Sequence, residues 1–119
     1  MPRHDLAVTL GQMLTYACEA VEMAAGTTRA ALGDDIVTGR ALVHTLEMIG
    51  EAATRVAPED RARYPAIPWQ DVVALRNRLI HGYDRVDPDT LWEIILRDLP
   101  ALIAELKRIA PPEPEGARD

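Results

Sequence analysis

Apolar residues recur every three or four positions along most of this chain, and no stretch alternates with the period of two that is typical of a strand. Residues three and four apart lie on the same face of an α-helix, so each such segment predicts a helix with one buried stripe. The first segment runs from about Asp5 to Ala25, and Gly26 suits the end of a helix. Its stripe consists of Leu6, Leu10, Met13, Leu14, Ala17, Val21 and Ala24.

The same pattern predicts two further helices in the middle of the chain. The second runs from about Asp34 to Ala57 and ends before a proline-rich connector, because proline interrupts helical hydrogen bonding. A third starts near Pro68 or Trp69 and is predicted to stop at Gly82, a residue type that commonly follows the end of a helix.

The last helix has the clearest predicted start. Asp87, Pro88 and Asp89 supply an N-cap carboxylate, a proline at the first helical position and a second acid in the first turn. This helix runs to about Ile109, and Pro100 is expected to kink it. Together the segments predict an all-α, antiparallel bundle of four to five helices, with apolar faces that would also suit a homodimer.

Length and composition fit one globular domain. The chain has 119 residues, of which 48% are apolar, and we place the domain at residues 1–110 with a disordered tail at 111–119. Cys18 is the only cysteine, so neither an internal disulfide nor a cysteine-rich metal site can form. No signal-peptide pattern or run of roughly 18 apolar residues is present, so we expect a cytoplasmic protein that does not enter a membrane.

The charge of the chain is unevenly distributed. The net charge of −6 argues against a general nucleic-acid binder, since phosphate binding usually requires a basic surface. However, the stretch from Arg61 to Arg85 holds five arginines and two aspartates, a net charge of +3. The other 94 residues have a net charge of −9. One short basic stretch therefore stands out in an acidic protein.

Within this stretch, the segment LRNRLIHGY at positions 75–83 has the densest set of chemically useful side chains. Histidine exchanges a proton near neutral pH, arginine offers planar donors to a phosphate, and an amide can orient either group. Together they would suffice for metal-free cleavage of RNA. The ribose 2′-OH would attack the adjacent phosphorus while His81 moves a proton and Arg76 stabilises the charge on the phosphoryl oxygens.

Helical geometry restricts this hypothesis. Five residues rotate an ideal helix by about 140°, so Arg76 and His81 can converge only if the helix ends or bends between them. Arg76 also lies on the apolar stripe, so we expect it to point inward or into an interface, beside an acid or a phosphate. The plainer interpretation is that Arg76 and Arg78 form ordinary salt bridges and that His81 and Gly82 only cap a helix.

Other candidate groups are fewer. His44, Glu47 and Glu51 share one helix face and would suit a metal ion, although such a trio is more often a solvated face. We interpret Trp69 and Trp92 as packing residues rather than as platforms on which bases stack.

The segment at 76–83, RNRLIHGY, is similar to the Arg-Asn-x-x-x-His-x-Tyr signature of the HepT-like HEPN ribonucleases. Gly82, between His and Tyr, is less typical of that family. The resemblance is clearest from about Leu46 to Leu106, because further segments resemble the family in the same order. These are EMIGEA at 47–52, YPAIPW at 64–69, DPDTLWEI at 87–94 and DLP at 98–100.

This resemblance implies a helical-bundle homodimer whose active site faces the dimer interface. It implies a metal-independent endoribonuclease without a cofactor, acting as the toxin of a toxin–antitoxin pair. Arg76 and His81 would be the catalytic pair, supported by Asn77 and Arg78. The partner would be an MntA-like nucleotidyltransferase antitoxin that transfers AMP to Tyr83, because a bulky, charged adduct there would block an RNA phosphate.

Two alternatives to the ribonuclease remain at this point. HEPN-type bundles also occur as non-catalytic partners of nucleotidyltransferases, and the overall acidity favours such a binding module. A purely structural dimer would instead pair Arg76 with an acidic residue and would have no cleft. Within the family resemblance, Glu51 is the acid expected to balance Arg76.

Overall fold

A computed structural model describes residues 5–81 and 85–109, with only the backbone given for Ile80, His81 and Arg85. In these ranges the protein is a helical bundle, which confirms the predicted all-α class. No helix in this part of the chain is long and apolar enough to cross a membrane. The tail predicted at 111–119 lies outside the described residues, and the domain limits of 1–110 stay a prediction.

The two longest helices begin at aspartate caps. Helix α1 spans Leu6–Ala25, and the Asp5 carboxylate accepts a hydrogen bond from the backbone N–H of Ala7. Helix α3 spans Ile36–Thr54, somewhat shorter than predicted, and the Asp35 carboxylate accepts from the backbone N–H of Thr38. A short helix, α2, spans Arg29–Leu32 and joins them.

The cap of α3 is sensitive to acid. The Thr38 hydroxyl and the Thr38 backbone N–H both donate to the Asp35 carboxylate. These bonds, the hydroxyl's more than the backbone's, lower the pKa of Asp35 below its ordinary value. Because the pKa is lower in the folded state, the ionised Asp35 stabilises the folded protein at pH values above the ordinary pKa of an aspartate. That stabilisation is lost as the pH falls through the lowered pKa.

The connector after α3 is held by an arginine and a tryptophan. Helix α4 spans Pro58–Ala62, and its Arg61 donates to the carbonyl oxygens of Ala53 and Val56 at 3.0 Å each, which caps the end of α3. The buried Trp69 indole N–H donates to the carbonyls of Arg61 and Tyr64, and the Arg61 guanidinium lies 5.9 Å from the ring centroid. Trp69 is therefore a packing residue, as predicted.

The prediction of one helix from about Trp69 to Gly82 is wrong. Helix α5 spans Trp69–Val73, the chain turns at Ala74, and helix α6 spans Leu75–Leu79. The backbone then enters a minimal antiparallel ribbon, in which strand β1, Ile80–His81, pairs with strand β2, Arg85–Val86. Strands of two residues are too short to produce an alternating pattern, so the sequence did not predict them.

Gly50 explains why α3 lies so close to this turn. A Cβ built on Gly50 would lie 3.1 Å from the Val72 carbonyl oxygen and 3.4 Å from that of Val73. The first distance is shorter than an ordinary contact and the second is at its lower limit, so glycine allows an approach that a larger residue would oppose. The turn at Ala74 follows at once, and it sets where α6 begins.

The last helical stretch begins where predicted and contains a wide turn. Helix α7 spans Pro88–Glu93 with an Asp87 cap, a π-helical segment spans Ile94–Asp98, and helix α8 spans Leu99–Ile109. The Leu99 N–H donates five residues back, to Ile94. Pro100 supplies no N–H and its ring crowds the carbonyl four residues earlier, so widening the preceding turn relieves that conflict.

The core forms where α1 packs along α3, and where both of these helices meet the second half of the chain. Helix α1 contacts α8, and α3 contacts α5 and α6, so the start of α6 is held against α3. Burial confirms most of the predicted stripes, although in the first helix Leu6, Leu14 and Val21 are only partly buried. The stripes of the second and last helices include Leu42, Leu46, Ile49, Ala53, Val56, Leu91, Ile95, Leu99, Leu102 and Leu106, all buried.

We predict opposite effects for alanine at two glycines of α3. Gly39→Ala should raise the free energy of unfolding by about 0.5–1 kcal/mol, because a Cβ there meets nothing within 4 Å and alanine favours a helix. Gly50→Ala should lower it by about 1–3 kcal/mol, because backbone carbonyls must move. Urea denaturation measures both, and equal stabilisation by the two variants would contradict the role given to Gly50.

Candidate active site

A concavity of about 190 Å³ lies between α3 and the start of α6. At its floor Gly50 approaches Val72 and Val73 at the end of α5, and α6, which follows directly, also contacts α3. The residues of α3 that line the concavity are three or four positions apart, so they lie on one face of the helix. The lining residues are Glu47, Gly50, Glu51, Thr54, Val73, Arg76 and Asn77.

Arg76 reaches this concavity from α6 and faces an acid. Its Nε lies 3.5 Å from Oε2 of Glu47, with 62% of the Arg76 side chain and 35% of the Glu47 side chain exposed. An exposed pair at this distance contributes at most about 1 kcal/mol to stability. We expected Arg76 to point inward or into an interface. The first option is wrong, because this side chain is mostly exposed in the single chain, and the second stays a prediction.

The acid that pairs with Arg76 is Glu47, whereas the sequence suggested Glu51. The two glutamates are four residues apart on α3, so they lie one turn apart on the same face. Glu51 lines the same concavity, but within the described part of the chain it forms no ion pair with Arg76. A prediction from helical spacing identifies this face but does not distinguish one turn from the next.

Of the three polar residues of the motif that have described side chains, two share the concavity and the third lies elsewhere. Asn77 lies beside Arg76 on the wall of the concavity and is exposed. Arg78 lies on another side of α6, where it forms an ion pair with Asp98 at 2.6 Å. It lines a different groove, of about 510 Å³, between α5, α6 and α8. Residues two apart on an α-helix point about 160° apart, which explains why Arg78 lies away from Arg76.

Each arginine of the basic stretch whose side chain the structure describes has a partner within the fold. Arg61 is used by the cap of α3, Arg63 lies 3.6 Å from Asp60 and near the Tyr64 ring, and Arg78 is paired with Asp98. Arg63 and Arg76 have the longest ion pairs among the described arginines of this stretch, at 3.6 and 3.5 Å, and 63% and 62% of their side chains are exposed. Of these two arginines, Arg76 is the one that lines the concavity.

The helix ends between Arg76 and His81, which is the condition for their side chains to converge. Helix α6 stops at Leu79, and the backbone of His81 is extended and paired with Arg85. The structure gives only the backbone of His81, and Tyr83 lies outside the described residues. The catalytic pairing and the modification of Tyr83 therefore stay predictions.

The metal interpretation finds no support in the described geometry. His44 is exposed on α3, and within residues 5–81 and 85–109 no group of three or more His, Cys, Asp or Glu side chains is arranged to hold a metal ion. The structural alternative predicted an acidic partner for Arg76 and no cleft. The acidic partner is present, but so is the concavity.

These features define the class of protein: a small all-α bundle with an arginine and an amide exposed in a concavity between two helices. Comparison with known proteins is more specific. The family model described as "Ribonuclease HepT-like" matches residues 13–109, and the chain belongs to this family. The resemblance noted in the sequence is thereby confirmed.

Several named relatives share this similarity over much of their length. "Putative RNase TTE0752" of Caldanaerobacter subterraneus is 39% identical over 75 residues, covering 63% of this chain and 67% of the relative. "Putative RNase MJ1380" of Methanocaldococcus jannaschii is 30% identical over 107 residues, covering 90% and 98%. "Probable ribonuclease HepT" of Thermococcus cleftensis is 30% identical over 95 residues, covering 76% and 86%. No solved structure matches the chain.

Proposed function

We propose that this protein is a metal-independent endoribonuclease with its chemistry at Arg76 and His81. The observation that carries the proposal is the exposed Arg76 beside Asn77 in a concavity, within a chain of the ribonuclease HepT-like family. The relatives named as RNases support the reaction class. A mostly exposed guanidinium with one ion pair in the described part of the chain keeps donors that can bind a phosphate.

In the proposed reaction, the ribose 2′-oxygen forms a bond to the adjacent phosphorus and the bond from phosphorus to the 5′-oxygen breaks. The 2′-OH proton leaves as the oxygen attacks, and the departing 5′-oxygen takes up a proton. His81 transfers a proton in this exchange, because imidazole is active as acid and base near neutral pH. Arg76 stabilises the negative charge on the phosphoryl oxygens, and Asn77 supports it.

The protein is further proposed to be the toxin of a toxin–antitoxin pair. An MntA-like nucleotidyltransferase would neutralise it by transferring AMP to Tyr83, two residues from His81 in the sequence. A phosphate group attached there repels an RNA phosphate and occupies its space. We also propose a homodimer with the site at the interface, which a mass of two chains in light scattering at micromolar concentration would support.

We predict that His81→Ala abolishes both growth arrest and RNA fragmentation when the protein is induced in a bacterial host, because the proton-transfer group is removed. His44→Ala is the matched control, since His44 is exposed on α3 and has no assigned role. It should arrest growth as the unaltered protein does.

Equal toxicity of His81→Ala and the unaltered protein would overturn the catalytic role of His81. If both the unaltered protein and His81→Ala are soluble and neither arrests growth or fragments RNA, the ribonuclease proposal is wrong. The non-catalytic binding module is then the favoured function. The nucleotidyltransferase partner would then be the molecule to identify.

We predict that Tyr83→Phe remains toxic but escapes neutralisation by a co-expressed MntA-like nucleotidyltransferase, because the hydroxyl that accepts AMP is absent. Tyr16→Phe removes an equivalent hydroxyl from α1 and should still be neutralised. Growth with and without the nucleotidyltransferase measures this. Neutralisation of Tyr83→Phe to the same degree would exclude Tyr83 as the regulatory residue.

A further inference from the structure

The Arg76 guanidinium is approached from one edge only. Its Nε edge faces Oε2 of Glu47 at 3.5 Å, and no other ion pair of Arg76 occurs within residues 5–81 and 85–109. A guanidinium offers five N–H donors in a rigid plane, and one end of that plane is enough to bind a phosphate through two parallel bonds. An acid on the Nε edge therefore leaves the opposite end of the guanidinium available to a ligand.

A carboxylate beside a phosphate-binding arginine otherwise works against binding. It lowers the positive potential that an RNA phosphate meets, and the chain already has a net charge of −6. The pair also adds little to stability, because 62% of the Arg76 side chain is exposed. Neither RNA affinity nor folding thus accounts for Glu47, whereas orientation of a long, flexible side chain does.

We propose that Glu47 is a positioning residue that holds the Arg76 guanidinium in the orientation required by the transition state. This inference rests on the proposed ribonuclease function. The Gly50 contact supplies the geometry, because it brings the start of α6 onto the face of α3 that carries Glu47. Glu47 does not touch the reacting atoms in this scheme and acts only through Arg76.

Glu51 provides a matched control for charge. It lies one turn from Glu47 on the same wall of the concavity, is more exposed, and makes no ion pair with Arg76 in the described part of the chain. Glu47→Gln and Glu51→Gln remove the same charge from the same concavity. Any effect of charge on RNA binding is therefore expected in both variants, and an effect on orientation is expected in Glu47→Gln alone.

The experiment measures kcat and KM of purified protein for cleavage of a short RNA. We expect Glu47→Gln to lower kcat by about tenfold or more, because a misplaced group loses transition-state stabilisation. We expect KM to fall or stay constant in both variants, since removal of a negative charge favours phosphate binding. The kcat of Glu51→Gln should fall far less than that of Glu47→Gln.

A double-mutant cycle tests whether Glu47 acts through Arg76. In an Arg76→Lys background Glu47→Gln should have no further effect on kcat, because an ammonium group has no planar edge to orient. Circular dichroism checks that each variant is folded, and the exposed pair predicts little change in stability. A further loss of equal size in the Lys background would overturn the proposal.

The remaining outcomes separate this inference from the proposed function. If Arg76→Lys loses activity and Glu47→Gln retains its kcat, the positioning role is wrong and the ribonuclease proposal stands. If the two glutamine variants lose kcat equally, the effect is one of charge and the positioning role is also wrong. If Arg76→Lys retains full activity, the assignment of Arg76 fails, and the inference fails with it.

Discussion

The site depends on the close approach of α3 to the end of α5 at Gly50. Because this residue has no Cβ, the carbonyl oxygens of Val72 and Val73 can lie within contact distance of the helix. The chain turns at Ala74, directly after this contact, and α6 starts beside α3 rather than continuing the direction of α5. Arg76 is thereby brought opposite Glu47. A glycine that the sequence shows only as part of a helix is what positions the candidate active site.

The fold also decides which arginine is available for chemistry. Arg61 caps α3 and stacks on Trp69, and Arg78 pairs with Asp98, so both have structural partners. Arg76 has one ion pair in the described part of the chain, with Glu47 at 3.5 Å, and its side chain is mostly exposed. The part of the basic stretch that the structure describes is thus not one continuous basic surface. It is a set of arginines bound to different parts of the bundle, with one directed to a concavity.

Much of the fold was predictable because burial repeats with the period of a helix. The limits of α1 and the start of α7 were predicted to within about a residue, since apolar stripes and aspartate caps are local signals. The turn at Ala74 was not, because it depends on a contact between residues more than twenty positions apart. The sequence identified Arg76 and Asn77 but favoured Glu51 over Glu47 as the acid opposite Arg76, because helical spacing does not distinguish two glutamates one turn apart. The pairing of Arg78 with Asp98, twenty positions away, also required the structure.

Analysis of the RNA ends tests the central claim most directly. Purified protein should cleave RNA in the presence of excess EDTA, leaving a 2′,3′-cyclic phosphate on the upstream fragment and a 5′-hydroxyl on the downstream one. These ends follow from attack by the ribose 2′-oxygen, and mass spectrometry of the fragments identifies them. Fragments with 3′-hydroxyl and 5′-phosphate ends, or cleavage that EDTA abolishes, would contradict a metal-independent reaction at Arg76 and His81.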